Sequence, residues 1–348
     1  MNRKPRLAKS RDSRTRAQEK TQVTDHEIQI LSKDYHGDKA AFVEYLLGKG
    51  YSSNTIKRYL FDVTNFEVWA EKQNVLTESI GYADLLHFIQ NKKTEITQRT
   101  ISTKINSLKH YFNFLSLSGN CLNNPTAQIS IKGIKRKKLY HILKKQELEN
   151  LYQAYTPKII STEKTVDTAN QNQNWYKKSE LSQQRNKVII GLLIYQGLNA
   201  LELARLTKND LKLREGKIYI AGTRRSNERE LTLEAVQIFD LMEYTMKVRE
   251  SLNQLTGKET EQLIISTGNS EKLTNTLKRL VDQLIKINSN VSSLKQIRTS
   301  VITHWLKIYN LRQVQHMAGH RFVSSTEAYL INDLDDLQED IVKFHPIG

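Results

Sequence analysis

The sequence has almost no cysteine and no long apolar segment, and both absences narrow the classes of protein it can belong to. Its 348 residues include one cysteine, Cys121, so an internal disulfide is excluded and a reducing, cytoplasmic location is expected. Because there is no CxxC pair and no Cys/His cluster, a structural zinc site is not expected. The longest apolar run, VIIGLLIYQGL, is shorter than the roughly 20 residues that cross a bilayer, so no membrane partner is expected.

Acidic residues are scarce relative to basic ones. Lysine and arginine number 53 against 37 aspartates and glutamates, which gives a formal charge of +16 at pH 7. This excess favours a polyanionic partner, nucleic acid before membrane; the alternative is a highly charged protein without such a partner. Residues 1–36 are basic and lack an apolar core, so they are not a secretory signal. They are expected to form a flexible arm, either touching DNA phosphates or inert.

Residues 37–126 show the period of an α-helix. Apolar residues recur three or four positions apart in DKAAFVEYLLGKGYSSNTIKRYLFDVTNFEVWAEKQN, where GKGYSSN separates two helices and Ser53 or Asn54 can cap the second. YADLLHFIQNK and TQRTISTKINSLKHYFNFLSLSG complete a predicted four-helix domain. One face of this domain is basic, and the residues expected to bind DNA are Lys57, Arg58, Lys104 and Lys109.

Residues 127–140 are a candidate linker between two domains. Four consecutive basic residues lie there between two segments with apolar periodicity. A basic linker suits a protein that closes around a charged rod; the alternative is a solvated run of charge. The residues expected to bind DNA are Lys135, Arg136, Lys137 and Lys138.

Residues 141–348 predict a larger, mixed domain. The stretch 157–184 is polar and poorly periodic, which indicates a long insertion or mobile loop. RNKVIIGLLIYQGL predicts a buried helix, GKIYIAGTRRSNERELTL predicts two strands around a turn, and helices are expected to fill 233–345. The predicted fold class is therefore mainly α with a small β-hairpin or sheet, in which a helical N-terminal domain precedes a mixed α/β domain.

The segment HMAGHRFVSSTEAYL, residues 316–330, concentrates reactive side chains. His316 and His320 lie four apart, as in some metal sites, but Gly319 is expected to break the helix between them. Since no third ligand is nearby in the sequence, no metal site is predicted. Tyr329 is either a buried ring in a last helix or a nucleophile.

Attack on a phosphodiester needs a nucleophile, a cationic clamp for the phosphate oxygens and a means of moving protons. Tyr329 can supply the hydroxyl, and Arg298 can supply a clamp because its guanidinium matches phosphate geometry. Lys295 lies one helical turn before Arg298, so both cations can face one site. His320 can hydrogen-bond the phosphate or handle the tyrosine proton.

The whole stretch KQIRTSVITHWLKIYNLRQVQHMAGHRFVSSTEAYL resembles the signature of tyrosine recombinases of the phage-integrase and Xer type. Lys295 and Arg298 match the His/Lys-x-x-Arg motif, AGH matches the Leu-Gly-His turn, and Tyr329 follows His320 by nine positions as in that family. Four further segments are similar to family segments in the same order: GYSSNTIKRYLFDVTNFEVWA, TISTKINSLKHYFNFLSLSGNCLNNP, GLLIYQGLNALELARLTKNDL and the predicted hairpin.

The resemblance implies a site-specific recombinase that cuts and rejoins duplex DNA through a 3′-phosphotyrosyl link on Tyr329. No metal, nucleotide or other cofactor is then needed, because the phosphotyrosine keeps the bond energy. It also implies a core-binding domain at 37–126, a catalytic domain at 141–348, and four protomers on two DNA sites. A C-terminal helix at 331–345 would dock on a neighbouring protomer, although its pattern alone also fits a cap on its own core. Accessory DNA-bending or recombination factors and a nucleoid-associated location are further expectations.

Two positions depart from the family pattern. Asn199 stands where the first catalytic arginine is expected, and Thr223 stands where the hairpin lysine is expected, with Arg224 or Arg225 as substitutes for it. In one account the enzyme is active because Arg224, Arg225 or Arg185 compensates for the missing arginine. In another it is a DNA-binding protein with a decayed site, and a type IB topoisomerase is a third reading. The retained clamp, histidine and tyrosine favour the first account, and the variant site and basic arm favour an integrase of a mobile element.

Overall fold

The computed structural model describes residues 37–133, 140–156, 171–223, 226–268 and 273–330, with side chains for all of these except 78 and 171–175. The chain divides into two compact units, Met1–Lys138 and Leu139–Gly348. Within the described ranges, no helix is long and apolar enough to cross a membrane. Several predictions fall outside the described residues: the arm 1–36, the linker cations Lys135, Arg136, Lys137 and Lys138, the hairpin residues Arg224 and Arg225, and the tail 331–345.

The first unit contains the four predicted helices. Their apolar residues meet in one core rich in aromatic rings, where the Phe66 ring lies edge-on to Phe88 and Phe112 at centroid distances of 5.1 and 5.8 Å. The second helix begins at Ser53 after the cap position Ser52, so the predicted caps are one or two residues too late. The helices are α1 Asp38–Gly48, α2 Ser53–Lys72, α3 Tyr82–Lys93 and α4 Gln98–Leu117.

The second unit is also mainly helical and carries one small antiparallel sheet, which confirms the predicted fold class. Its helices are α5 Lys145–Ala154, α6 Gln171–Ile194, α7 Ala200–Arg205, α8 Ala235–Glu243, α9 Arg249–Thr256, α10 Thr274–Ile287, α11 Leu294–Ile308, α12 Leu311–Ala318 and α13 at 323–330. A π-helical turn, Tyr244–Val248, joins α8 to α9. The strands are β1 Leu211–Lys212, β2 Lys217–Ile220 and β3 Arg229–Thr232, in the order β1-β2-β3.

Helix α6 is the centre of the second unit. Its residues 188–194 are buried, as the apolar run predicts, and the helix packs against α5, α8 and α11. The predicted insertion at 157–184 is wrong in its second half, because α6 begins at Gln171. This first part of the helix carries mostly polar side chains, so the sequence offers no apolar period there. The prediction of continuous helix from 233 is also wrong, since the described residues between Thr256 and Thr274 are not helical.

The β-hairpin is attached to the turn that follows α12. Its inner face packs into the core through Ile218, Ile220 and Leu231. The connection between β2 and β3 then reaches this turn, where the Asn227 amide donates to the Gly319 carbonyl at 3.0 Å. Ser226 forms an antiparallel bridge with His320. The hairpin therefore holds the residues around His320 in place.

Candidate active site

Arg298 is the centre of a buried cluster in the second unit. It lies on α11, and its Nη2 group donates to the Ala318 carbonyl at 2.6 Å while Nη1 donates to the Gly197 carbonyl. Nη1 also lies 3.3 Å from Oε2 of Glu202 on α7. Since the side chain is 10% exposed, these contacts fix a guanidinium that retains only a small opening to solvent.

Glu202 is shared between two arginines. Its Oε1 lies 2.9 Å from Nη1 of Arg229, and its Oε2 accepts from the backbone N–H of Asn199 at 2.9 Å and also faces Arg298. Burial acts to raise the pKa of this carboxyl. The pKa is nevertheless held below its usual value by the hydrogen bond and charge of Arg229, by the charge of Arg298 and by the backbone N–H of Asn199. Glu202 is therefore ionised at neutral pH.

Arg229 on β3 is a member of the cluster that sequence reasoning missed. Its side chain is 0% exposed, and its Nε and Nη2 groups have no hydrogen-bond partner among the described residues. The signal that could have found it is strand alternation, because Arg229 is two residues before Leu231 and so shares the inward face of β3. A charged residue on the inner face of a strand is uncommon unless it is paired.

Two glycines allow neighbouring side chains to pack closely against the backbone around the cluster. Gly319 ends α12 with a φ of +68°, and a Cβ placed on it would lie 2.2 Å from Nη1 of Arg229. Gly197 has a φ of +57°, and a Cβ on it would lie 3.0 Å from the Trp305 ring. Both positions need the left-handed conformation that glycine adopts without strain, together with a close approach of the neighbouring side chain.

His320 is fixed by a hydroxyl and by a ring. Its Nδ1 atom lies 2.9 Å from Oγ1 of Thr326, which is fully buried on α13. The imidazole stacks on the ring of Tyr329 with centroids 5.5 Å apart and an interplanar angle of 16°. Burial, followed by the charges of Arg298 and Arg229, lowers the pKa of His320 to about 4, so the ring is neutral at pH 7.

Tyr329 lies on α13 beside Arg298 and His320. Its half-buried ring packs against a small apolar cluster that includes Ile302, Val314 and Ala318. Burial lowers the pKa of the Arg298 guanidinium and Glu202 raises it, while the nearby Arg229 lowers it and the nearby Tyr329 raises it to a smaller extent. The structure thus brings together Arg298, His320 and Tyr329, three of the residues selected from the sequence.

The two departures from the recombinase pattern have clear local structures. Asn199 is the N-cap of α7, and its Oδ1 atom accepts from the amides of Leu201 and Glu202 at 2.9 and 3.0 Å. Only its Nδ2 group is left to donate toward a ligand. Thr223 closes the hairpin connection instead, since its Oγ1 atom accepts from the Ser226 amide at 3.0 Å and lies 2.8 Å from the Ser226 hydroxyl.

Other predicted cations lie elsewhere. Lys295 is in the first turn of α11, one turn before Arg298, but it is exposed and its Nζ lies 5.6 Å from the centroid of the Tyr140 ring. Arg185 does not compensate at the cluster, because its buried guanidinium donates to the Ile265 carbonyl at 2.9 Å and to Oδ1 of Asn186 at 2.8 Å. Arg224 lies outside the described residues, so its place at the site stays a prediction.

The basic residues selected in the first unit differ in how they are held. Lys104 pairs at 2.9 Å with Asp62, a buried carboxylate on α2, and Nζ of Lys109 donates to the Ile129 carbonyl at 2.9 Å. Lys57 and Arg58 are exposed on α2, with Arg58 Nε 3.9 Å from Asp62. These two keep their charges in solvent, whereas Lys104 and Lys109 also stabilise their own unit.

No group of three or more His, Cys, Asp or Glu side chains that could hold a metal ion occurs in the parts of the chain that the structure describes. His316 and His320, which lie four apart in sequence, are separated by the end of α12 at Gly319. The cluster is instead a set of two buried arginines, one carboxylate, a neutral imidazole and a phenol. Such a set can bind an oxyanion and place a hydroxyl beside it.

Comparison with known proteins gives two family matches. Residues 161–334 match the Phage integrase family, and residues 40–119 match the phage integrase N-terminal SAM-like domain. The tyrosine recombinase XerC of Bacillus licheniformis is 27% identical over 315 residues, which cover 88% of this chain and 95% of the relative. The tyrosine recombinase XerD of Shewanella oneidensis is 25% identical over 329 residues, which cover 91% of this chain and 100% of the relative.

A solved structure shares the fold. The crystal structure of the XerH site-specific recombinase bound to a palindromic difH substrate, a post-cleavage complex, superposes with a TM-score of 0.65 at 18% identity. The match covers 92% of this chain and 88% of the XerH chain. Both units of the chain therefore have counterparts in one known architecture.

Proposed function

Because this chain belongs to the phage integrase family and is a site-specific tyrosine recombinase, we propose that Tyr329 is the nucleophile with which it cuts and rejoins DNA. The observation that carries the proposal is the position of Tyr329, whose ring stacks on His320 and which lies close enough to the buried Arg298 to influence the pKa of its guanidinium. A tyrosine that served only as packing would not need a buried cation and an imidazole beside it.

In the proposed reaction the Tyr329 oxygen attacks the scissile phosphorus. The bond from phosphorus to the 5′ oxygen breaks, a 3′-phosphotyrosyl bond forms, and the tyrosine proton leaves while the 5′ oxygen takes up a proton. The 5′ hydroxyl of the partner strand then attacks the same phosphorus and loses its proton, the bond from phosphorus to the Tyr329 oxygen breaks, and that oxygen takes up a proton, which completes the exchange. The phosphotyrosyl bond conserves the energy of the broken bond, so the reaction needs no nucleotide.

The other side chains have roles that follow from their environments. Arg298 stabilises the charge that develops on the non-bridging oxygens, since a preorganised guanidinium is suited to a phosphate. A neutral His320 can donate a hydrogen bond to the phosphate, and the negative charge of bound DNA would raise the pKa of the ring and strengthen that bond. Lys295 and Arg224 remain proposed cations at the edge of the site. Arg224 is supported by its sequence position, because it lies two residues before Ser226, which forms a bridge with His320.

Duplex DNA is the proposed substrate and partner, in agreement with the formal charge of +16 and with the kind of protein that the relatives are. We propose that residues 37–126 form one DNA-binding domain and residues 141–348 the catalytic domain, joined by the basic linker at 127–140. Four protomers on two sites, exchange of the helix at 331–345, accessory factors, a mobile-element role and a nucleoid-associated location in the cytoplasm follow from the same proposal.

Covalent trapping tests this function. The protein is incubated with nicked suicide duplexes that carry candidate sites from DNA flanking its gene, and adducts that resist SDS are measured beside the Tyr329→Phe variant. We expect an adduct with the native protein and none with the variant. Binding to the same duplexes without an adduct would indicate a DNA-binding relative with a decayed site, and relaxation of supercoils without strand exchange would indicate a topoisomerase.

A further inference from the structure

The buried ion pair of Arg229 and Glu202 is expected to stabilise the fold less than apolar side chains in the same positions would. The inward position on β3 next to Leu231 could hold an aliphatic side chain, yet it holds a guanidinium that is fully buried. Two of its nitrogen groups, Nε and Nη2, have no partner among the described residues. Burying an ion pair often stabilises a fold less than apolar side chains of similar volume would. A functional reason for the pair is therefore expected.

The charges of the cluster supply that reason. Glu202 contacts both arginines, so without Arg229 its negative charge would cancel the positive charge of Arg298. With Arg229 present, two guanidinium charges less one carboxylate charge leave a net charge of +1 facing the site. At position 199 the family pattern leads one to expect a further cation, but Asn199 brings none and uses its carbonyl oxygen to cap α7.

We propose that Arg229 is a positioning residue that neutralises Glu202, so that this carboxylate does not cancel the positive field of Arg298 at a DNA phosphate in a site where Asn199 supplies no charge. The inference rests on the proposed function, because it assumes that the phosphate lies beside Arg298 and Tyr329. Arg229 is too deeply buried to contact DNA directly, and it acts through Glu202 and through its field at short range. Its guanidinium lies against the Gly319 turn, which immediately precedes His320.

In the free protein, the charge of Arg229 already influences the pKa values of two residues of the site. Its positive charge is one cause of the lowered pKa of His320 and of the lowered pKa of Arg298, whereas Glu202 acts on both in the opposite direction. Removal of Arg229 should therefore raise the pKa of His320, and removal of the Glu202 charge should lower it. A double neutral variant should bring the pKa back toward the native value.

The test compares Arg229→Gln, Glu202→Gln and the double variant Glu202→Gln/Arg229→Gln in single-turnover formation of the Tyr329 adduct. Arg229→Gln should slow the reaction by about 10²- to 10³-fold, the range found when one preorganised charge-stabilising donor is lost. The double variant should recover at least about tenfold of that loss, because the unbalanced carboxylate is gone. A double variant as slow as the single one, or a single variant as fast as the native protein, would overturn the proposal.

Controls separate charge balance from folding. Arg185→Gln removes a buried arginine that is bonded to Ile265 and Asn186 rather than to the cluster, so it reports the cost of losing such a side chain elsewhere. All variants are compared after thermal unfolding has shown that they are folded. If Arg229→Gln does not fold, Arg229→Lys keeps the charge and should react within about tenfold of the native rate. A folded lysine variant without activity would contradict the charge argument.

A second measurement does not depend on DNA cleavage. The pKa of His320 is followed by NMR titration of the free protein, with His320→Gln used to identify its signal. The expected order is Glu202→Gln lowest, native and double variant between, and Arg229→Gln highest. If the native protein forms no adduct but this order is found, the recombinase proposal fails while the electrostatic role of Arg229 stands. An unchanged pKa in Arg229→Gln would overturn that role.

Discussion

At the scale of single residues, the hydroxyl of Thr326 decides which nitrogen of His320 faces the site. Oγ1 of Thr326 lies 2.9 Å from Nδ1, so Nε2 is left for the phosphate or the tyrosine. Thr326→Val keeps the shape but removes this partner, and it should slow adduct formation by about tenfold, the equivalent of one hydrogen bond. Thr326→Ser keeps the hydroxyl and should react at close to the native rate. Equal rates for the valine and serine variants would show that the contact does not matter.

The lowered pKa of the half-buried His320 makes the stability of the second unit depend on pH. The pKa is lowered from 6.5 to about 4, so the unfolded chain binds a proton that the folded chain does not. Stability should fall as the pH drops from about 6.5 to about 4 and should not depend on this group at higher pH. Because the ring is only half-buried, the effect should be on the order of 1 kcal/mol. Urea unfolding at pH 7 and pH 4.5 measures it.

The matched variant for this measurement is His320→Gln. It lacks the titrating ring, so it should lose less stability than the native protein between the two pH values, while other groups contribute equally to both. A native protein whose pH dependence is the same as that of the glutamine variant would contradict the prediction.

The sequence identified Tyr329, Arg298 and His320 because their spacing is local to one stretch of chain. Glu202 and Arg229 were missed, since Glu202 pairs with Arg298 and Arg229 pairs with Glu202 only in the folded chain. The same limit applied to Lys104, whose partner Asp62 lies 42 positions away. A local sequence pattern can therefore identify candidate residues within one segment, whereas pairs between distant segments are seen only in the folded structure.

At the scale of elements, the end of α12 is a close fit between a glycine turn and the hairpin. Gly319→Ala would bring a Cβ to 2.2 Å from Arg229 Nη1 in a left-handed conformation. We expect a loss of about 2–4 kcal/mol in the free energy of unfolding and no measurable adduct. Gly257→Ala is the matched control, because Gly257 also ends a helix with a φ of +62° but has nothing within 4 Å of the added Cβ.

The control should lose only about 1 kcal/mol, the cost of the left-handed conformation alone. Equilibrium unfolding in urea measures both variants. If the two alanines cost the same, the contact between Gly319 and Arg229 would have no energetic weight.

The elements that were predicted well are those with a clear period. Helix α4 buries Ile101, Ile105 and Leu108 as its spacing requires, and β2 and β3 lie where alternation placed them. The start of α6 and the two-residue strand β1 were missed for opposite reasons. The first is a helix whose outer turns have no apolar period, and the second is too short to show any period.

At the scale of the whole molecule, DNA affinity should come mainly from charge and fall steeply with salt. Variants of Lys57 and Lys104 distinguish an effect on DNA binding from an effect on the free energy of unfolding, because Lys57 is exposed while Lys104 pairs with the buried Asp62. Lys57→Ala should leave stability within about 0.5 kcal/mol and reduce the salt slope of binding by about one. Lys104→Ala should cost about 1–3 kcal/mol of stability, since it leaves Asp62 with fewer partners.

Urea unfolding and a salt series of DNA binding give both quantities on the same proteins. A large stability loss in Lys57→Ala, or none in Lys104→Ala, would show that the assignment of these two lysines is wrong. A binding constant that does not change with salt would contradict the electrostatic account of the whole molecule.

The central claim is that one tyrosine of the 15 in the chain forms the bond to DNA. The most direct test is to trap the adduct on a suicide duplex, digest the DNA and the protein, and locate the remaining nucleotide by mass spectrometry. We predict that the nucleotide is attached through its 3′-phosphate to the peptide that contains Tyr329. Attachment to any other tyrosine, or through a 5′-phosphate, would contradict the account.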